Sequence, residues 1–400
     1  MKKISLLIVV IFLAISCTKE DSPSDPSKSG YESYLSMSMT DGARGSSSGT
    51  GGGDGNGNGN GIEPGQITAA EWNDLGHWIF WMDLINGQDY SKMPGYWSFD
   101  LSKRISVKLS NLSSEPAVDI KIELIDAASQ VLWIAKTDNF GKAELWPGMH
   151  PVQSIAGNLK LRIENQDFEK PKFFEAGINE ISLADHPIRP QNISQIAFMV
   201  DATGSMADEL EYLKAELVDV ISEVRSSNPN TAIVTGSVFY RDEGDVYVTK
   251  ASGFTTDTDN TIQFIKQQYA EGGGDFPEAV HTALNESLKT LQWSPEATSR
   301  LLFILLDAPP HYEEQIVSQI HSEVRLASEK GIKIVPITAS GIDKETEFLM
   351  RYMAIATNGT YVFITNDSGI GNDHLEASVG EYEVEYLNDL MVRLINKYLE

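Results

Sequence analysis

The chain has 400 residues, 41% of them hydrophobic, a formal net charge of −26 and one cysteine. That length suits two domains rather than one, and the apolar share is enough for real cores. The acidic balance disfavours nucleic acid, whose phosphates need clustered Lys and Arg, and favours affinity for cations, while a single cysteine excludes an internal disulfide.

Lys2 and Lys3 precede a short apolar run over residues 4–14, too short for a stable transmembrane span. The run ends in Ala14-Ile15-Ser16-Cys17. This resembles the lipobox of bacterial lipoproteins, although Ala14 stands where Leu is usual and Leu13 lies one place earlier. The resemblance implies a signal peptide over residues 1–16, cleavage before Cys17 and acylation of its thiol. The alternative is a plain secretory signal with a chance cysteine. No other stretch is long and apolar enough to span a bilayer, so lipid would be the only membrane anchor. Thr18-Lys19-Glu20-Asp21 resembles the charged signal that some surface-exposed lipoproteins carry. The expected location is the cell envelope, as an outer-membrane lipoprotein.

Residues 17–65 read as a flexible tether dominated by Ser, Pro and Gly, which cannot bury apolar surface. A calcium-binding glycine-aspartate repeat is the rival, but Asp54 is the one acid in the Gly-Asn core and no apolar repeat position exists. Residues 66–187 read as a small β domain. Apolar and polar residues alternate over 105–109, 118–124 and 159–163, as in strands with one wet face, and turn signals separate them. Several short strands of this kind suggest a sandwich. The stretch from Val131 to Trp146 resembles a strand-turn-strand of carboxypeptidase-regulatory-like domains, which are immunoglobulin-like sandwiches. Trp72, Trp78 and Trp81 precede the first of these alternating runs. They suit a short helix that plugs the sandwich end, with sugar binding as the rival.

Over residues 190–400 the period changes. Apolar strand-like runs alternate with helical patterns in βαβα order, which predicts a doubly wound, mainly parallel sheet covered by helices. Residues 246–249 are expected to add an antiparallel edge strand after the turn at Asp242-Glu243-Gly244-Asp245.

Three loops of this region carry oxygen ligands. Asp201-Ala202-Thr203-Gly204-Ser205 follows the apolar run 196–200. Gly272-Gly273-Gly274-Asp275 and Leu306-Asp307-Ala308 come later, each where a parallel sheet puts its binding loops. Oxygen-only ligands suit a hard divalent cation, Mg²⁺, Ca²⁺ or Mn²⁺. Residues 190–400 resemble a von Willebrand factor type A domain. Its metal-ion-dependent adhesion site uses Asp-x-Ser-x-Ser, a later Thr and an Asp after the fourth strand. Asp201, Thr203, Ser205 and Asp307 match that pattern, with Thr for the first Ser, and Asp275 falls where the family has Thr. The resemblance implies a metal site built on Asp201, Thr203, Ser205, Asp275 and Asp307, whose open position takes an acidic side chain of a protein ligand. Asp275 departs from the pattern: an added anion raises metal affinity, weakens the pull on an acidic ligand and favours Ca²⁺.

Other acids read more plainly. Asp208 and Glu278 suit first helical turns, Asp257 suits a helix cap, and His311 suits a loop surface. The functional expectation is a lipid-anchored binding or adhesion protein and not an enzyme. One rival is a structural lipoprotein whose metal only stiffens it. Another is a metal-dependent phosphatase with Asp201 as nucleophile, but Thr203 stands where the acid catalyst is required. A nucleotide loop is excluded because Gly272-Gly273-Gly274 lacks a following Lys-Ser/Thr.

Overall fold

The computed structural model describes residues 62–88, 90–149, 157–184 and 192–400. The expected signal peptide, Cys17 and the Gly-rich core of the tether lie outside the described residues. The described chain opens on β1 (Thr68–Trp72), α1 (Trp78–Asn86) and the single turn α2 (Met93–Tyr96). Seven strands follow: β2 (Ile105–Asn111), β3 (Lys121–Ile125), β4 (Val131–Lys136), β5 (Lys142–Leu145), β6 (Lys160–Ile163), β7 (Gln166–Glu169) and β8 (Asn179–Leu183). They form a three-stranded sheet, β5-β2-β8, and a four-stranded sheet, β4-β3-β6-β7.

The remainder alternates strand and helix. β9 (Ile193–Asp201), α3 (Leu210–Ser227), β10 (Ala232–Tyr240), β11 (Thr249–Thr255), α4 (Thr258–Lys266) and α5 (Val280–Asn285) come first. Then follow β12 (Ser299–Leu306), α6 (Glu314–Lys330), β13 (Lys333–Thr338), α7 (Lys344–Ala356), β14 (Tyr361–Ile364), β15 (Glu385–Tyr386) and α8 (Leu387–Lys397). The eight-stranded sheet runs β11-β10-β9-β12-β13-β14-β1-β15. β10, β9, β12, β13 and β14 are parallel, and β11 and β1 join antiparallel. No helix among the described residues is long and apolar enough to cross a membrane.

The central strands are apolar along their whole length because both faces are covered. On β9, Ile196, Phe198 and Val200 point to one core, while Ala197 and Met199 point to the other. The first core is closed by α3 and α8. α3 brings Leu210, Leu213, Leu217, Val220 and Val224, spaced as one stripe of a helix. The second core takes α5, α6 and α7 and continues into the seven-stranded region through Trp133, Leu132 and Trp146. α6 stops at Gly331, whose φ of +70° is the left-handed cap that ends many helices.

Four expectations change. The boundary at residue 66 does not separate two sheets: β1 lies in the large sheet, paired with β14 and β15. The Glu216 carboxylate accepts from the N–H groups of Gly65, Gln66 and Ile67 and so fixes the entry of that strand. The segment from Val131 to Trp146 is no hairpin, since β4 and β5 belong to different sheets. The edge strand after β10 is Thr249–Thr255 rather than residues 246–249. Finally, the tryptophans do more than plug a sandwich. Trp72 is part of β1, Trp81 packs on Phe348 and Tyr352 of α7, and Trp78 packs on Trp146 and Phe174.

Ion pairs stitch this seam. Arg300, near the start of β12, meets Asp119 at 2.8 Å, and Lys333, first in β13, meets Asp138 at 3.2 Å. Arg351 of α7 lies between Asp74 at 2.6 Å and Glu347 at 3.1 Å, with all three side chains out of water.

Candidate metal centre

In the order β10-β9-β12-β13-β14 the chain winds away from β9 in one direction and from β12 in the other. The crevice at the C-terminal ends of two such strands is where open α/β sheets bind ligands. Asp201 ends β9, in register with Tyr240 of β10, and Asp307 directly follows β12.

Beyond β9 the backbone folds back on the aspartate. The Thr203 N–H and Oγ1 donate to Asp201 Oδ1 at 2.8 and 2.7 Å. Thr203 Oγ1 lies 3.1 Å from Ser205 Oγ. Asp201 and Thr203 are fully buried, whereas Ser205 opens to solvent. With Oδ1 so engaged, Asp201 Oδ2 is buried without a donor. Asp307 Oδ1 and Glu278 Oε2 are in the same condition.

Neighbouring loops are tied to this turn by backbone. Gly204 N–H donates to Gly272 O at 3.0 Å, and Glu271 N–H to Ala202 O at 3.1 Å. Gly272 and Gly273 have φ of +82° and +71°, a region that glycine enters without strain. A β-carbon on Gly272 would stand 2.4 Å from the Asp245 carboxylate oxygens. One on Gly273 would stand 2.7 Å from Glu278 Oε1 and 3.3 Å from the Thr203 β-carbon. Asp245 Oδ2 also accepts from Gly273 N–H at 2.9 Å. Glu278 N–H donates to Pro309 O at 2.8 Å, which fastens the second loop to the third.

The electrostatics follow from burial among like charges. Burial lifts the Asp201 carboxyl to about 6, against the pull of the two Thr203 donors and of the nearby Tyr240 hydroxyl. Burial and then the charge of Asp201 lift Asp307 to about 7. Glu278 rises to about 9, through burial and then the charges of Asp201, Asp242, Asp307 and Asp245. Arg241, which follows β10, does not relieve them: its guanidinium donates to Glu271 Oε2 at 3.2 Å and to Tyr269 O at 2.9 Å.

Three buried carboxylate oxygens without donors, beside a pair of hydroxyls, fit a hard divalent cation held by oxygen alone. Among the described residues no three His, Cys, Asp or Glu side chains gather tightly enough to cage a metal by themselves.

Of the residues expected from sequence, Asp201, Thr203, Ser205 and Asp307 come together. Asp275 does not join them. Its side chain is exposed, and it is not among the main charges acting on Glu278. The chain turns between 274 and 278, so the buried carboxylate of this loop is Glu278. Sequence reasoning puts Glu278 in a first helical turn, yet it precedes α5 and points into the crevice. Asp242 and Asp245 are further neighbours that sequence reasoning misses, since only a turn is legible there. His311 is half-buried rather than a loose surface residue, with Nε2 2.7 Å from Asp242 Oδ1. Asp257 does precede α4, where its carboxylate accepts from the Asn260 side chain at 3.0 Å.

Residues 195–370 match the family model described as von Willebrand factor A domain. Among curated proteins, an ariadne-like RING finger protein of Acanthamoeba polyphaga mimivirus is 32% identical over 134 residues, which is 34% of this chain and 13% of that protein. An alpha-protein kinase of Dictyostelium discoideum is 31% identical over 148 residues, 36% of this chain and 23% of that protein. The chain thus spans under a quarter of the length of either relative. Among solved structures, the conserved hypothetical protein BatB of Bacteroides thetaiotaomicron superposes with a TM-score of 0.35 at 14% identity, covering 51% of this chain and 98% of that one. An aerotolerance-related membrane protein of Bacteroides fragilis gives a TM-score of 0.33 at 14% identity, covering 52% and 98%.

Proposed function

Residues 195–370 form a von Willebrand factor A domain, and from that premise we propose a binding protein that captures a protein ligand through a divalent cation. Asp201, Thr203, Ser205 and Asp307 hold the ion, Mg²⁺, Ca²⁺ or Mn²⁺. When bound, it supplies an open coordination position that attracts a carboxylate of the partner. The buried Asp201 Oδ2 and Asp307 Oδ1, neither with a donor, are the observation that carries this reading. Thr203 and Ser205 offer neutral oxygens, so part of the ion's charge stays available to the ligand.

The protein acts as a binder and not as an enzyme, because Thr203 occupies the place where a phosphatase requires its acid catalyst. Acylated at Cys17, it is held in the cell envelope as an outer-membrane lipoprotein. Seven strands in sheets of three and four support an immunoglobulin-like sandwich that spaces the domain from the membrane. Changing Cys17→Ser releases the protein from membranes; continued membrane fractionation of that variant would refute the anchor.

Melting with and without metal tests the centre. Ca²⁺ or Mg²⁺ at about 100 times its dissociation constant adds about 2.7 kcal/mol of stability, and EDTA removes it. Asp201→Ala and Asp307→Ala abolish that response. A wild-type melting temperature indifferent to both metals and to EDTA sinks the reading. Buried Glu278 favours a second reading, in which the metal serves stability more than capture, because a further carboxylate quenches the ion's charge.

A further inference from the structure

We infer that Glu278, and not Asp275, is the third carboxylate of the cation site, facing the ion beside the Thr203–Ser205 hydroxyl pair. This rests on the cation reading above and names a residue that the family pattern does not supply. Glu278 is 3% exposed, yet Oε2 has no partner. A buried carboxylate without donors is among the costlier groups a fold can hold. Its position is not an accident of a loose loop. The backbone is fastened to Pro309 O on one side, and the loop is fastened to the Asp201 turn through Gly204 and Gly272 on the other.

Gly273 makes the placement possible. Any side chain there would fill the space between Glu278 Oε1 and Thr203. The absent β-carbon leaves that carboxylate oxygen and the threonine facing one another. Asp275, three residues earlier, is on the exposed side of the same turn.

Glu278 therefore adds a third carboxylate to the surroundings of the ion, although the three do not close around it by themselves. Glu278 strengthens the hold on the metal, directly or through a bound water, and weakens the pull on an acidic ligand from outside. Supporting groups of this sort change metal affinity by about 10–100-fold when removed.

Titration calorimetry of the full chain with Ca²⁺ alone, and with Mg²⁺ alone, separates the possibilities. Glu278→Gln is expected to weaken the tighter of the two metals by about tenfold or more. Asp275→Asn is expected to stay within about threefold, and Asp201→Asn to lose binding. Wild-type protein that binds neither metal defeats the cation reading itself. If the wild type binds and Asp201→Asn does not, while Glu278→Gln stays within about threefold, the cation reading stands and the role of Glu278 is overturned. That role is equally overturned if Asp275→Asn loses as much affinity as Glu278→Gln. Should Glu278→Gln not fold, Glu278→Asp, which keeps the charge but withdraws it by one methylene, carries the comparison with the same threshold.

Discussion

Buried charge is handled in opposite ways at the two ends of the large sheet. At the N-terminal end, where the seven-stranded region docks, opposite charges meet. Arg300 has Asp119, Lys333 has Asp138, and nearby Arg351 has both Asp74 and Glu347. At the C-terminal end Asp201, Asp307 and Glu278 are buried together, and each keeps an oxygen without a donor. Both ends belong to one sheet and share its cores, so composition does not explain the contrast. The fold closes its own charges at one end and leaves three of the same sign open at the other, and that contrast is what supports the proposed cation site.

The comparison is broken most severely at the paired end. Arg351→Met removes the positive member of a triad whose side chains are 0–1% exposed, and leaves Asp74 and Glu347 buried against each other. Losing one partner of a buried pair costs about 3–5 kcal/mol. Denaturant unfolding of the metal-free protein checks this, and a loss under about 1 kcal/mol would mean that the seam is wetter than it looks.

At the open end the sign reverses with pH. The Asp201 and Asp307 carboxyls are raised from 3.8 to about 6 and about 7, and Glu278 from 4.5 to about 9. An acid whose folded pKa lies above its unfolded one binds its proton more tightly in the native state. Its contribution to stability is fully present below about pH 4 and is lost as pH climbs through 6 to 9. Metal-free protein is therefore expected to lose stability steadily between pH 5 and pH 9, with saturating Ca²⁺ removing most of the loss. Asp307→Asn flattens the metal-free slope and also removes the Ca²⁺ effect. A slope that is flat without metal, or unchanged by Asp307→Asn, would contradict the charge cluster.

The parallel half of the sheet was legible because runs such as 196–200 and 301–306 are apolar on both faces, and a strand buried on both sides leaves that mark. The Asp201, Thr203 and Ser205 turn was legible for the same reason: it follows directly on such a run. β1 was not, since Thr-Ala-Ala-Glu-Trp has no clear period and gains its place from Glu216 and β14, far along the chain. The β4 and β5 crossing was hidden too, because a turn between two short strands looks alike whether they pair or part. Glu278 was misread because an acid just before a helix has a sufficient local explanation. Its backbone is fastened to Pro309 O, in a loop that sequence distance does not announce.

Asp275 offers the smallest test and the sharpest one between reading by position and reading by burial. By position it falls where the resembled family has Thr; by burial it is a solvent-facing loop residue. Exposed substitutions without buried partners change stability by about 0.5 kcal/mol or less. Asp275→Asn should therefore leave both the metal-free stability and its pH slope within that margin, as read by thermal melts at pH 5 and pH 9. If the slope flattens as much as it does for Asp307→Asn, then Asp275 presses on the cluster from closer than its exposure implies, and the loop closes inward in solution.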